Sequence, residues 1–372
     1  MAAFAYLDHN ATSPLRPAAF DAMAEALRAG GNPSSVHRAG RQARSVIEAA
    51  RRQVAASVSA LPAELVFTSG GTEANNMAIA GAGRQRVLVS AVEHDSVLKA
   101  NPQAERIPVD GDGVVDLAAL QRLLAASREP ALVSVMLANN ETGVIQPIAD
   151  VVRLARATDA LVHCDAVQAA GKIDVDLRGL GVDYLSLSSH KLGGPAGIGA
   201  LIVRAGAAFV SDRRGGGQES KRRAGTENVA GIAGFGAAVG EAQTGLAVDG
   251  LRARLEAALL AIAPDARVFG AGVRRLCNTT CIAMPGVRAE TQVMALDLAG
   301  VCVSAGAACS SGKVQRSAVL SAMGVEESLA ESAIRISLGW NSQTKDIDCL
   351  IAAWRDLYIR VRQSDMSRAK AA

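Results

Sequence analysis

Four short stretches of this chain combine side chains that could bind a phosphate, orient a ligand or act as a nucleophile. The first, residues 67–76, reads FTSGGTEANN and places small and hydroxylated residues between a strand-like run and a helix-like run. Such a turn aims free backbone N–H groups at one point beside a helix N-terminus, where a phosphate is favoured. The alternative is ordinary turn chemistry. The stretch matches neither the P-loop nor the dinucleotide fingerprint.

Two further stretches place a charged residue directly after a buried strand. Asp165 follows an apolar run, at the edge of a parallel sheet where ligands bind, although a capping role is the alternative. Lys191 follows the hydroxyl-rich strand end 186–189 and precedes Gly-Gly-Pro. A desolvated amine beside Ser188 and His190 could form a Schiff base, whereas most lysines are solvated surface residues.

The fourth stretch, residues 304–312, surrounds Cys309 with alanine, serine and glycine. No large apolar residue anchors this segment, so we expect an exposed and mobile thiol, as an attacking thiolate requires. The other five cysteines are expected to be packed and inert. The irregular spacing of all six predicts no disulfide framework.

The elements that must position these residues alternate between short apolar runs and amphipathic stretches. This alternation predicts βαβ units and a mainly parallel sheet with helices on both faces. The last run follows its neighbour after only a glycine-rich turn, which favours an antiparallel strand. The predicted strands cover residues 65–67, 87–89, 131–137, 161–163, 184–187 and 198–203, and the predicted helices between them cover 73–82, 117–126 and 148–158.

The pattern changes near residue 248, where a smaller α+β unit is predicted to begin. We predict a large domain over residues 13–248 and a small domain over residues 1–12 and 249–372. Helices are predicted at 228–244, 251–262, 290–298 and 344–360, and strands at 277–284 and 332–338.

Composition restricts the class of protein. Apolar residues make up 49% of the 372 residues, which is enough for a large core and excludes disorder as the main state. Aromatic residues are only 3% and the net charge is +3, which argues against a nucleic-acid partner. Charged residues near the start, with no long apolar run, predict neither a signal peptide nor a membrane span. We therefore expect a cytoplasmic protein.

Taken in order, these stretches resemble the class V aminotransferase family of pyridoxal-phosphate enzymes, and specifically cysteine desulfurases of the NifS/IscS type. The resemblance covers nearly the whole chain. It implies the aspartate aminotransferase-like fold (fold type I) of PLP-dependent transferases, an α/β class with a mainly parallel seven-stranded sheet in the large domain and a smaller α+β domain. The motifs that carry it lie at residues 6–12, 31–37, 67–76, 93–94, 139–143, 163–168, 188–191, 215–219, 223–228, 304–311 and 334–339.

The resemblance implies roles around the ring of pyridoxal 5'-phosphate. Lys191 is the expected partner of the cofactor aldehyde, and Asp165 is expected to pair with the ring nitrogen. His94 is expected to stack on the ring and to move protons, although without the resemblance it reads as a surface histidine at a helix start. Asn140 and Gln168 are expected to contact the ring oxygen.

The resemblance also implies how the phosphate is held. Gly71, Thr72, Ser188 and His190 are the expected contacts from the same chain. Thr226 resembles the residue that reaches the phosphate from a second subunit. This arrangement requires a homodimer.

For the reaction, the resemblance implies conversion of L-cysteine to L-alanine. Arg335 is expected to clamp the substrate carboxylate, with help from Asn32. Cys309 is expected to accept the sulfur as a persulfide and pass it to an acceptor protein, for iron–sulfur cluster or other sulfur-cofactor synthesis. The alternatives are a selenocysteine lyase or aminotransferase of the same family, and a regulator without cofactor. Cys309 distinguishes them, because transamination needs no thiol.

Overall fold

The computed structural model describes residues 4–242, 246, 248, 250–306 and 316–371, the last eight as backbone only. Its strands, in chain order, are β1 (Ala5–Tyr6), β2 (Leu65–Thr68), β3 (Arg86–Ser90), β4 (Glu105–Ile107), β5 (Ala131–Ser134), β6 (Leu161–Asp165), β7 (Tyr184–Ser188), β8 (Gly199–Val203), β9 (Arg267–Val268), β10 (Thr279–Ala283), β11 (Val301–Cys302), β12 (Ser304–Ala305) and β13 (Ala333–Ser337).

Residues at the helix starts help to determine where several helices begin. Pro17 occupies the first turn of its helix, and Asp116 and Ser317 each cap a helix by accepting from a backbone N–H three residues on. The helices are α1 (Pro17–Ala29), α2 (Arg38–Ala56), α3 (Gly71–Gly81), α4 (Asp95–Leu98), α5 (Leu117–Ala125), α6 (Ile148–Arg156), α7 (Leu177–Leu180), α8 (Val229–Ala242), α9 (Leu251–Ile262), α10 (Ala289–Leu298), α11 (Ala318–Ala322), α12 (Glu327–Ala330) and α13 (Thr344–Ala371).

A seven-stranded sheet organises the first two thirds of the chain, in the order β2-β8-β7-β6-β5-β3-β4. Strands β3 to β7 pair in parallel, whereas β8 runs antiparallel to both β2 and β7. The predicted fold class is therefore confirmed, and so is the antiparallel last strand. The carboxyl ends of the parallel strands meet at one edge, where ligands bind in such sheets.

The seventh strand, β4, was not predicted from the sequence. It is a three-residue edge strand that pairs only with β3, and Arg106 in its centre is exposed. Short, charged edge strands carry little apolar signal because one side faces solvent.

Two separate hydrophobic cores lie on the two parts of the chain. The core of the large sheet includes Leu88, Val133 and Leu185. The second core joins Leu7 from the N-terminal segment to Trp354 of α13, around a four-stranded sheet ordered β12-β13-β10-β9. The predicted division at residue 248 stays a prediction. No helix in the described ranges is long and apolar enough to cross a membrane.

Candidate active site

A cavity of about 260 Å³ opens at the carboxyl edge of the large sheet. Strands β6 and β7 deliver Asp165 and Ser188 to it as their last residues. Ten of the residues predicted from the sequence line this one cavity: Gly71, Thr72, His94, Asn140, Asp165, Gln168, Ser188, His190, Lys191 and Arg335.

The Lys191 amine is held at the cavity wall by the N-terminal segment. Lys191 lies in a short 3-10 turn directly after β7. Its Nζ donates to the carbonyl oxygens of Asn10 at 2.6 Å and Ala11 at 2.7 Å. These two backbone acceptors hold the amine against the N-terminal segment.

The Asp165 carboxylate is fixed at both oxygens. Asn75 Nδ2 of α3 donates to Oδ2 at 2.7 Å, and the Val167 backbone N–H donates to Oδ1 at 2.9 Å. Directly behind Asp165 on β6, His163 is fully buried between two serine hydroxyls, and burial lowers its pKa to about 4. The imidazole is therefore neutral near pH 7, and Asp165 has no cationic histidine beside it.

Hydrogen bonds connect Asp165 to His94. Asn75 Nδ2 also donates to Ser96 Oγ at 2.9 Å, and Ser96 Oγ lies 2.7 Å from His94 Nδ1. The Ser96 backbone N–H donates to the same Nδ1 at 3.1 Å. Nδ1 is therefore an acceptor, and the proton of the neutral ring resides on Nε2.

The N-terminus of α3 forms one wall of the cavity. Gly70 precedes it with a φ of 156°, and no side chain caps the first turn. A Cβ added at Gly71 would lie 2.9 Å from Val167 Cγ2, so only glycine keeps this wall open. Opposite, burial lowers the pKa of His190 to about 4, with the charge of Lys191 acting in the same direction.

Arg335 reaches the cavity from β13. It is only 1% exposed. Its Nη2 donates to Asp8 Oδ1 at 2.8 Å, and its Nη1 donates to the Asn140 carbonyl oxygen at 3.1 Å. The guanidinium is thus fixed in orientation beside Asn140, which also lines the cavity.

Two predicted site residues lie away from the cavity, and a third is not among the described residues. Asn32 does not line the cavity; it is exposed, and its Oδ1 accepts from the Ser34 backbone N–H at 2.9 Å. Thr226 is exposed on the surface, away from the cavity of its own chain. Cys309 lies outside the described residues. The roles of these three residues stay predictions.

Several residues that shape the cavity were given no role from the sequence. Asn75 and Ser96 connect Asp165 to His94, and Asn10 and Asp8 support Lys191 and Arg335. The sequence signal that could have identified Asn10 and Asp8 as site residues was their place in the motif at residues 6–12.

Comparison with known proteins identifies the family of this chain. The family model described as aminotransferase class-V matches residues 5–350. The chain is 46% identical over 363 residues to a cysteine desulfurase of Cereibacter sphaeroides, covering 93% of each protein. It is 38% identical over 390 residues to an IscS-like cysteine desulfurase of Mycobacterium tuberculosis, covering 99% of each.

Solved structures give the same result. A NifS-like protein from Rickettsia africae superposes with a TM-score of 0.88 at 36% identity, covering 95% of this chain and 99% of that one. A second NifS-like protein gives a TM-score of 0.86 at 34% identity, with the same coverage. The chain therefore belongs to the aminotransferase class-V family of pyridoxal-phosphate enzymes and groups with its cysteine desulfurases.

Proposed function

We propose that this protein is a cysteine desulfurase in which Lys191 holds pyridoxal 5'-phosphate and Cys309 accepts the sulfur of L-cysteine. The observation that carries the proposal is a single cavity that brings together a lysine amine, a fixed carboxylate, an uncapped helix N-terminus and a buried arginine. Each group suits one part of the cofactor or of the amino-acid substrate.

The phosphate end of the cavity fits a dianion. The first turn of α3, at Gly71 and Thr72, supplies backbone N–H groups and the positive end of the helix dipole. Within the described part of the chain, Ser188 Oγ is buried without a hydrogen-bond partner. A phosphate oxygen would satisfy this hydroxyl, which otherwise costs desolvation energy.

The ring end fits a protonated pyridine beside a phenolic oxygen. Asp165 is oriented by Asn75 and is positioned to hold a proton on the ring nitrogen. Asn140 Oδ1 is a second buried atom with no partner among the described residues, and the same amide carries the N–H donors that a ring oxygen would need. When bound, the cofactor supplies an electron sink for charge that develops at the substrate Cα.

The chain's own groups then handle the substrate. The Arg335 guanidinium binds the amino-acid carboxylate through its fork of N–H donors. Lys191 Nζ, at the cavity wall, would take the Cα proton and return a proton to the product. His94 carries its ring proton on Nε2 and is a second proton donor at the cavity wall.

Sulfur transfer balances without an external oxidant. The Cβ–S bond of cysteine breaks, and the sulfur joins the Cys309 thiol as a persulfide. The product carbon receives a proton and leaves as L-alanine. The net change is cysteine plus Cys309–SH giving alanine plus Cys309–S–SH. A thiol acceptor, on a sulfur carrier or an iron–sulfur scaffold protein, then takes the outer sulfur.

The proposal includes a homodimer and a cytoplasmic location. Thr226 is exposed in its own chain, as it must be to reach the phosphate of a partner. Among the described cysteines, Cys164, Cys281, Cys302 and Cys349 are free thiols, which is typical of a reducing compartment.

The test is alanine formation from L-cysteine with a dithiol reductant, comparing the wild type with Cys309→Ser and Cys349→Ser. We expect the first variant to lose more than about a hundredfold in turnover. The second changes an exposed cysteine of α13 and should retain full activity. Unchanged turnover in Cys309→Ser would favour a selenocysteine lyase or aminotransferase, which needs no thiol nucleophile.

A further inference from the structure

A second lysine, Lys172, lies immediately behind the cavity. It follows Gly171 in the loop after β6 and is half-buried. Its Nζ donates to Asn10 Oδ1 at 2.8 Å and to Gln168 Oε1 at 2.7 Å. Asn10 and Gln168 line the cavity, whereas Lys172 does not. Any effect of Lys172 on the site therefore acts through these two residues or through its charge.

The ammonium group settles which way the Gln168 amide points. An ammonium only donates hydrogen bonds, so the amide oxygen must face Lys172. The amide nitrogen accordingly faces the other way and donates to the Asn10 carbonyl oxygen at 3.0 Å. Gln168 therefore offers the cavity an N–H donor rather than a carbonyl acceptor. A donor is the group that suits an anionic ring oxygen.

Asn10 connects the two lysines. Its side-chain oxygen accepts from Lys172, and its backbone oxygen accepts from Lys191 Nζ at 2.6 Å. Asn278 Nδ2 also donates to the same side-chain oxygen at 3.2 Å. The position of the Lys191 amine thus depends on a residue that Lys172 helps to hold.

The charges around Lys172 are mostly positive. Lys191 and Arg335 are the cations that face it, the His9 ring nearby is neutral because its pKa is lowered to about 4, and the Cys277 thiol is the acidic group nearby. Burial and the charges of Lys191 and Arg335 lower the pKa of Lys172. Its two hydrogen bonds to amide oxygens act in the opposite direction, because they stabilise the protonated amine that donates them. Repulsion between two cations is mutual, so a charge on Lys172 disfavours protonation of a neighbouring amine.

We propose that Lys172 is a positioning residue of this active site, which fixes the Gln168 amide as a donor toward the cavity and keeps a second positive charge behind Lys191. The proposal rests on the proposed function, in which Gln168 faces the ring oxygen and Lys191 binds the cofactor aldehyde. It assigns Lys172 no contact with substrate or cofactor.

The variants Lys172→Met and Lys172→Gln remove the charge, and Lys172→Arg keeps it. Lys99→Met is the matched control, because its side chain is 76% exposed in a surface ion pair with Asp95. The purified holoenzymes are titrated with pH while the visible absorption band of the bound cofactor is recorded. Cofactor affinity is measured by adding pyridoxal phosphate to the stripped proteins.

We expect the pH midpoint of the absorption band to rise by about one unit in the two neutral variants, because a repelling charge is gone. Cofactor affinity should fall about tenfold in Lys172→Met, since the Gln168 amide is free to turn. The arginine variant and the Lys99→Met control should keep the wild-type midpoint.

The proposal is overturned if the neutral variants bind cofactor with the wild-type midpoint and affinity. It is also overturned if only the arginine variant folds, since Lys172 is then a structural residue. Failure of the proposed function is a different result: the wild type itself then shows no cofactor band and forms no alanine from cysteine.

Discussion

Arg335 and Asp8 form an ion pair at the wall of the active-site cavity, with Nη2 donating to Oδ1 at 2.8 Å. The partners are 327 residues apart in the chain. Ser304 Oγ donates to the other Asp8 oxygen at 2.7 Å. The pair thus joins the N-terminal segment to β12 and β13, and it balances a guanidinium that is almost completely buried.

Replacing Asp8 by asparagine should destabilise the fold. The change keeps the shape and the Ser304 hydrogen bond but leaves a buried cation without its counter-charge, which costs about 3–5 kcal/mol. Urea unfolding measures the loss. Asp150→Asn is the control, because its pair with Arg153 is exposed and worth less than about 1 kcal/mol. Equal stabilities of the two variants would contradict this assignment.

Arg335→Lys should weaken substrate binding. A lysine keeps the charge but loses the planar fork that binds a carboxylate through two hydrogen bonds. We expect KM for cysteine to rise about tenfold or more, with a smaller change in kcat. Steady-state kinetics on cofactor-saturated enzyme provide the values. A variant with lower kcat and unchanged KM would place Arg335 outside the carboxylate site.

Gly71→Ala should lower cofactor affinity. The new Cβ would lie 2.9 Å from Val167 Cγ2 and 3.4 Å from Ser188 Cβ, so the phosphate wall must shift. We expect cofactor affinity to fall about tenfold, which corresponds to about 1.4 kcal/mol of binding free energy. Gly240→Ala is the matched control, since a Cβ there meets nothing within 4 Å and lies in helix α8. Equal affinity in both variants would argue against a phosphate at α3.

Glu141 should give the protein a measurable pH dependence of stability. Burial raises the pKa of Glu141 to about 7, although the hydrogen bond from Ser317 opposes this. The unfolded chain has its ordinary value of 4.5. The folded chain therefore holds a proton that the unfolded chain has lost, and stability falls as pH rises between these values.

The variant Glu141→Gln isolates this effect, because it stays neutral at every pH. We expect it to match the wild type near pH 5 and to be the more stable protein at pH 8, by urea unfolding. The buried histidines, such as His9 and His163, have pKa values lowered to about 4, so they make stability rise with pH below pH 6.5. This contribution is the same in both proteins. A constant difference across this range would contradict the assignment.

Much of the site could be predicted because its residues follow buried strands. Asp165 and Lys191 come at or just after the ends of β6 and β7, and parallel strands bring their carboxyl ends to one edge. Gly71 and Arg335 were assigned to the site through the family resemblance. Pattern and spacing alone could not show that these two residues line the same cavity. The edge strand β4 was missed because it is short and polar.

The supporting hydrogen bonds could not be predicted, since they join distant parts of the chain. Asn10 contacts Lys191 across 181 positions and Asn278 across 268. Asn75 lies inside a helix, where nothing in the local pattern indicates that its side chain reaches Asp165. These contacts follow from how the N-terminal segment and α3 pack on the sheet edge.

The most direct test identifies the lysine that carries the cofactor. The protein is loaded with pyridoxal phosphate, reduced with borohydride and digested, and the modified peptide is sequenced by mass spectrometry. We expect the label on Lys191, which lines the same cavity as Asp165. A label on Lys172 or on any other lysine, or a protein that takes up no cofactor, would contradict it.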